Sequence, residues 1–132
     1  MKRIELDTGV EEFSIAGGGV LRFNPCDPNL YARFLEAEQE LAKLEEDFSR
    51  RAKDGDVLLL TVEADRQVKD LLGRVFGDGN DFHAALGGVN LLAVTADGRR
   101  VSETLFAALE EILTEGAARF AAQKADALRE GK

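Results

Sequence analysis

Between Leu30 and Phe48 the apolar side chains fall at Leu30, Phe34, Ala37, Leu41, Leu44 and Phe48, and most of the residues between them are charged. Steps of four and three residues put all six on one narrow stripe of a helix, the seam of a two-helix contact. The helix has a marked start: in Asn24-Pro25-Cys26-Asp27-Pro28 the first proline stops what precedes, Asp27 is an N-cap, and Pro28 suits the first helical position. The spacing predicts a helix to about Lys53, with Tyr31 and Leu35 widening its first turns. Asp54-Gly55-Asp56 is a hinge, and Asp56 can cap a second helix over residues 57–76, with Leu58, Val62, Val68, Leu71, Leu72 and Val75 facing inward. Residues 57–62 also have strand propensity. A helix is expected because a short loop then makes an antiparallel helical hairpin and gives the seam a partner. A seam this thin pairs with one other helix, either the next in the chain or its twin in another copy. Leu30, Phe34, Leu41, Leu44 and Phe48 are therefore the candidate partner-binding residues.

The expected fold class is α+β, predominantly α, in a single domain over residues 1–132. Residues 1–25 read as an antiparallel β-hairpin or meander. Residues 3–7 alternate charged and apolar, Phe13 and Ile15 share one face, and the glycine triplet 17–19 breaks the chain before Val20-Leu21-Arg22-Phe23. So small a sheet must lean on a helix or on another subunit. Residues 27–76 form the helical hairpin, 77–100 a glycine-rich connection containing a short helix, and 101–130 the C-terminal helix. Within the connection, Gly77 ends the second helix and Asp81 caps a short one that finishes at Gly87. Residues 91–96 read equally as a short strand or a helix turn. Ser102 is expected to cap the last helix, which turns Leu105, Phe106, Leu109, Ile112, Leu113 and Phe120 inward. Gly116 interrupts that helix at a propensity cost of about 1 kcal/mol relative to alanine. Beyond Phe120 the apolar signal thins, so the final turns should be exposed or fray.

Charge and composition narrow the function classes. The 132 residues carry 17 Lys and Arg against 25 Asp and Glu, a formal net charge of −8, which disfavours nucleic acid as a partner. One cysteine permits no internal disulfide, no signal peptide is visible at the start, and no apolar run approaches the length needed to span a bilayer. A soluble, cytoplasmic protein is expected.

No motif assembles a reaction centre. The run Gly77-Asp78-Gly79-Asn80-Asp81 lacks the third glycine and the preceding strand of a dinucleotide loop, and it lacks the spaced acids and closing glutamate of a calcium loop. His83, the sole histidine, lies between Phe82 and two alanines, so a surface or half-buried helix residue is expected. Cys26 precedes a helix N-terminus but has neither a neighbouring histidine nor a second cysteine, so an inert thiol is expected. Carboxylates such as Glu36, Glu40, Glu45 and Glu46 read as a solvated helix face. No cofactor or metal is expected, and no enzyme.

Three stretches carry a family resemblance: Val75-Phe76-Gly77-Asp78-Gly79-Asn80, then Ala85-Leu86-Gly87-Gly88-Val89-Asn90, then the helix over residues 105–113 with Glu110-Glu111-Ile112 near its end. Together they resemble a family of small proteins encoded in the tail-morphogenesis regions of tailed phages and prophages of Gram-positive bacteria. The chain departs from that pattern in having Asn80 for a hydroxyl residue and Leu86 for an aromatic one. The resemblance implies a non-enzymatic tail assembly chaperone or assembly factor that binds a tail component, such as the tape-measure protein, through amphipathic helices. A homo-oligomer is expected. A structural tail or neck protein of the virion is the alternative, as is an acidic mimic of DNA that inhibits a host protein.

Overall fold

The computed structural model describes residues 1–15 and 18–130 and is α+β, mostly α. In chain order it contains β1 (Glu11–Ile15), β2 (Gly19–Phe23), α1 (Pro28–Arg51), α2 (Val57–Phe76), the single turn α3 (Phe82–Ala85) and α4 (Val101–Glu130). The caps read from the sequence are in place. The Asp27 carboxylate accepts from the Asn29 N–H, that of Asp56 from the N–H groups of Leu58 and Leu59, and that of Asp81 from Ala84. Each satisfies N–H groups that a helix start leaves without a partner. Gly77 closes α2 with φ of 94°, a conformation that side chains rarely adopt.

The helix α1 is the spine. Against α2 it runs antiparallel: Arg33, near its start, donates to the Val75 carbonyl at the end of α2, and Arg51, at its end, meets Glu63 near the beginning of α2. Against α4 it is antiparallel too, with Arg100 over the Phe48 ring, Phe106 stacked on Phe34, and Gly116 against the carbonyl of Pro25. Five aromatic contacts join these helices to the sheet, running from Phe13 through Phe23 and Phe76 to Phe82, Phe34 and Phe106. Leu21, Leu72, Leu91 and Leu113 fill the space around them.

The sheet has two strands, antiparallel, with Glu11 opposite Phe23 and Ile15 opposite Gly19. The third strand expected over residues 3–7 does not form. Ile4 and Leu6 stand 87% and 77% exposed, and residues 3–7 have no strand partner. The outer edge of β2, one place a further strand could go, is already filled. Asn80 accepts from the Arg22 N–H and donates to the Arg22 carbonyl, as a neighbouring strand would, while also donating to the Phe76 carbonyl. At the glycine triplet, residue 17 lies outside the described residues. Gly18 has φ of 100°, and Gly19 begins β2 under α3, where a Cβ would meet the Ala85 carbonyl.

Three further expectations need correction. Leu58 and Val62 are not buried; they are 79% and 51% exposed, because the corner does not extend over their side of the first two turns of α2. Residues 91–96 form no regular strand or helix: a hydrogen-bonded turn closes Asn90 to Ala93, and a single bridge joins Val94 to Arg100. Ser102 is not the cap of α4. It is buried in the first turn, and its N–H donates to the Leu91 carbonyl. The turns beyond Phe120 are exposed over residues 121–126, as expected, although α4 continues through them.

Between α1 and α4, Glu38 faces Glu110. Burial raises the Glu38 pKa, and the Glu110 charge and a hydrogen bond between the two carboxyls raise it further. The folded state therefore holds this proton more tightly than the unfolded state. The contribution is complete at low pH, where both states are protonated, and is lost as pH rises from the ordinary carboxylate range through the raised value. Glu38→Gln should accordingly unfold at a slightly higher temperature than the parent at neutral pH, with the gap closing in acid. Solvent screening keeps the effect under about 0.5 kcal/mol. Thermal melts across that pH range check it, and a gap that widens in acid contradicts it.

Candidate functional site

Two features flank the corner formed by residues 77–91: a polar knot with a cleft beside it, and an apolar groove. The knot is built on α2, where Asp65 and Lys69 stand one turn apart and are only 9% and 8% exposed. The Lys69 ammonium spends its three donors on the Asp65 carboxylate at 2.9 Å, the His83 Nδ1 at 2.8 Å and the Val89 carbonyl at 2.7 Å. The second Asp65 oxygen accepts from the Leu91 N–H at 2.8 Å. An ammonium donates to Nδ1 only where that nitrogen keeps its lone pair, so this contact requires the ring tautomer protonated at Nε2. Among the described residues no buried side-chain nitrogen or oxygen lacks a partner.

The knot ties the corner to α2 at three points, and through Leu91, whose carbonyl receives the Ser102 N–H, it also fixes the start of α4. Lys69 has no donor left over, so its role is to position the chain. Beside it opens a cleft of about 890 Å³, lined among others by Glu40, Asp70, Arg74, Asp78, Asp81 and His83. Four carboxylates and the cations Lys69 and Arg74 line it. Among the described residues no group of three histidine, cysteine, aspartate or glutamate side chains is placed to hold a metal ion. His83 is exposed, in line with the sequence reading apart from its bond to Lys69, and Cys26 is a half-buried free thiol.

The groove lies on the other side of the corner, between β1 and α4. It encloses about 500 Å³, and its lining is apolar, with Phe13 and Ile15 on one wall, Leu105 and Ile112 on the other, and Leu86 and Val89 at the end. Three consecutive β1 residues, Phe13, Ser14 and Ile15, line it. Leu21 and Phe23 of β2 line it too, so it lies over the inner face of the sheet, and beside it β1 has an edge away from β2. Among the described residues no backbone bond is made to that edge. Arg22 turns its N–H and C=O outward to Asn80, so its antiparallel partner Glu12 turns its own to the opposite side, and Ser14 does likewise.

The seam predicted to bind a partner lies elsewhere. Leu30 and Phe34 are core residues, Leu41 and Leu44 are partly buried against the core, and Phe48 is partly buried under Arg100. The chain's own α2 and α4 cover these side chains, so a partner reaching Leu30 or Phe34 would have to displace them. The groove residues on α4 were assigned to the core from the sequence. Leu105 and Ile112 are only partly buried, because the hairpin stands off from α4 instead of closing on it. Asp65 and Lys69 escaped notice, since charges four residues apart usually mark a solvated face. Their signal was alignment: they share helical rows with Leu72 and Phe76, seven residues further on. Comparison of the chain with protein families, curated proteins and solved structures finds no match in any of the three.

Proposed function

We propose that this chain is a non-catalytic assembly factor, of the kind that holds a phage or prophage tail component before polymerisation, and that it binds an apolar segment of that component in the groove between β1 and α4. The observation that carries the binding role is the groove itself, an unpaired strand edge beside an apolar helix face. That arrangement receives a segment whose backbone bonds to the strand and whose alternate side chains enter the groove. The amphipathic side of α4 supplies Leu105 and Ile112. The tail-assembly part of the reading rests on the resemblance of residues 75–90 and 105–113 to proteins of tail-morphogenesis regions.

Co-expression with candidate tail proteins, the tape-measure protein among them, followed by affinity capture, tests the reading. The intact chain should retain one of them. Leu105→Glu, which puts a charge on the groove wall, should weaken that capture by about tenfold or more. Equal capture by the variant, or no capture by either, removes the proposal. Purified particles separate this role from that of a structural tail or neck protein: an assembly factor is absent from them, a structural component present.

A further inference from the structure

We propose that residues 3–7 of a second copy of this chain add to the free edge of β1 as its missing strand, with Ile4 and Leu6 turned into the groove against α4, giving an arm-exchanged dimer. The inference stands on the groove's geometry, and because arm and tail segment take the same edge, a tail component binding there has to displace the arm.

The arm has the pattern of a strand with one apolar face, yet in the single chain that face meets water. Ile4 is 87% exposed and Leu6 77%. Its root, by contrast, is built. The Asn24 side chain donates to the Thr8 carbonyl, Asp7 accepts from the Gly9 N–H, and Gly9 adopts φ of 75° against Asn24. These contacts carry Thr8 on past Asn24, beyond the open end of the hairpin. Ile4 and Leu6, in water, do not enter the chain's own groove, and the Asn24 bond holds Thr8 beside the residue that follows β2, away from the free edge of β1. A second copy has no such constraint.

The receiving side is equally defined. Asn80 and α3 close the outer edge of β2, so β1 holds the sheet's free edge, at Glu12 and Ser14. A strand there pairs with the outward backbone groups and lays every second side chain over Phe13, Ile15 and Ile112. Charge favours a second copy as the source. Lys2 and Arg3 lead the arm and Glu11 and Glu12 begin β1, so these ends attract when the arm runs parallel to β1, Arg3 exchanging its exposed pair with Glu5 and Glu12 its exposed pair with Arg22. Each copy offers one arm and one edge, so a two-fold pair satisfies both at once, with the short charged arm as the new edge strand of each sheet.

The test uses the whole chain. The parent should sediment at twice the chain mass, and the double variant Ile4→Asp, Leu6→Asp at the chain mass with an unchanged circular dichroism spectrum. Both side chains are exposed in the single chain, so their loss leaves its fold intact. Placement is read in a Cys26→Ser background by mixing Leu6→Cys chains with Ile112→Cys chains and adding a short bismaleimide. A mixed cross-linked dimer is expected. A parent that sediments as a monomer over about a hundred-fold concentration range overturns the proposal. So does a dimer that survives the arm variant, or a chain carrying both cysteines that cross-links only within itself.

Discussion

Asp65→Ala is expected to destabilise the protein by about 3–5 kcal/mol, a large part of the roughly 5–15 kcal/mol that holds a domain of this size. The truncation removes a carboxylate but leaves its partner in place. Lys69, 8% exposed, is left with only the His83 nitrogen and the Val89 carbonyl as partners and no counter-charge, and the Leu91 N–H loses its acceptor. Asp65→Asn separates the two losses: its amide oxygen can still accept from Leu91, while the counter-charge is gone. It should therefore fall between the parent and the alanine variant. The double variant Asp65→Leu, Lys69→Met removes both charges and should be more stable than Asp65→Ala, since no unpaired ion remains. It will not reach the parent, because the Val89 carbonyl and the Leu91 N–H stay unpartnered. Urea titration of the four proteins gives the comparison. Loss of under about 1 kcal/mol in Asp65→Ala would mean that the pair behaves as a solvated surface contact and that the corner is held by its apolar anchors alone.

That pair shows where the sequence was readable and where it was not. The seam of α1, the three aspartate caps and the corner at Gly77 and Asp81 are local chemistry, and local chemistry was enough to place them. Phase along α2 was readable as well. Leu58 lies on the row of Asp65 and Leu72, and Val62 on that of Lys69 and Phe76, so each was assigned to the correct side of the helix. What periodicity does not encode is how far the cover extends. The corner packs only on the later turns of α2, leaving Leu58 and Val62 in water and Asp65 and Lys69 out of it. Residues 3–7 show the same limit in a strand: alternation specifies a face, not the partner that will bury it. The groove was hidden for a related reason. Leu105 and Ile112 look like core residues on a helical wheel, and only the distance between the hairpin and α4 makes them a surface.

Gly116 supplies the second large effect, and its sign is opposite to what helix propensity alone would give. A glycine inside α4 costs about 1 kcal/mol relative to alanine, so Gly116→Ala would be expected to stabilise the helix. The structure reverses this. A Cβ at Gly116 would lie 1.8 Å from the Pro25 carbonyl oxygen and 2.4 Å from its carbon. The obstacle is backbone, held by the proline ring on one side and by the Asp27 cap of α1 on the other. Relief requires α4 to draw away from the start of α1, which loosens Phe106 on Phe34 and opens the core around Leu113. We expect Gly116→Ala to lose about 3 kcal/mol, at the upper end of what overpacking costs. Gly73→Ala is the matched control. That residue lies inside α2 with no atom within 4 Å of its would-be Cβ, so the same change should gain about 0.5–1 kcal/mol. Urea unfolding of the two variants beside the parent therefore predicts shifts in opposite directions. If Gly116→Ala matched or exceeded the parent, α4 would not pass this close to Pro25, and the antiparallel packing of α1 and α4 at that end would be misplaced.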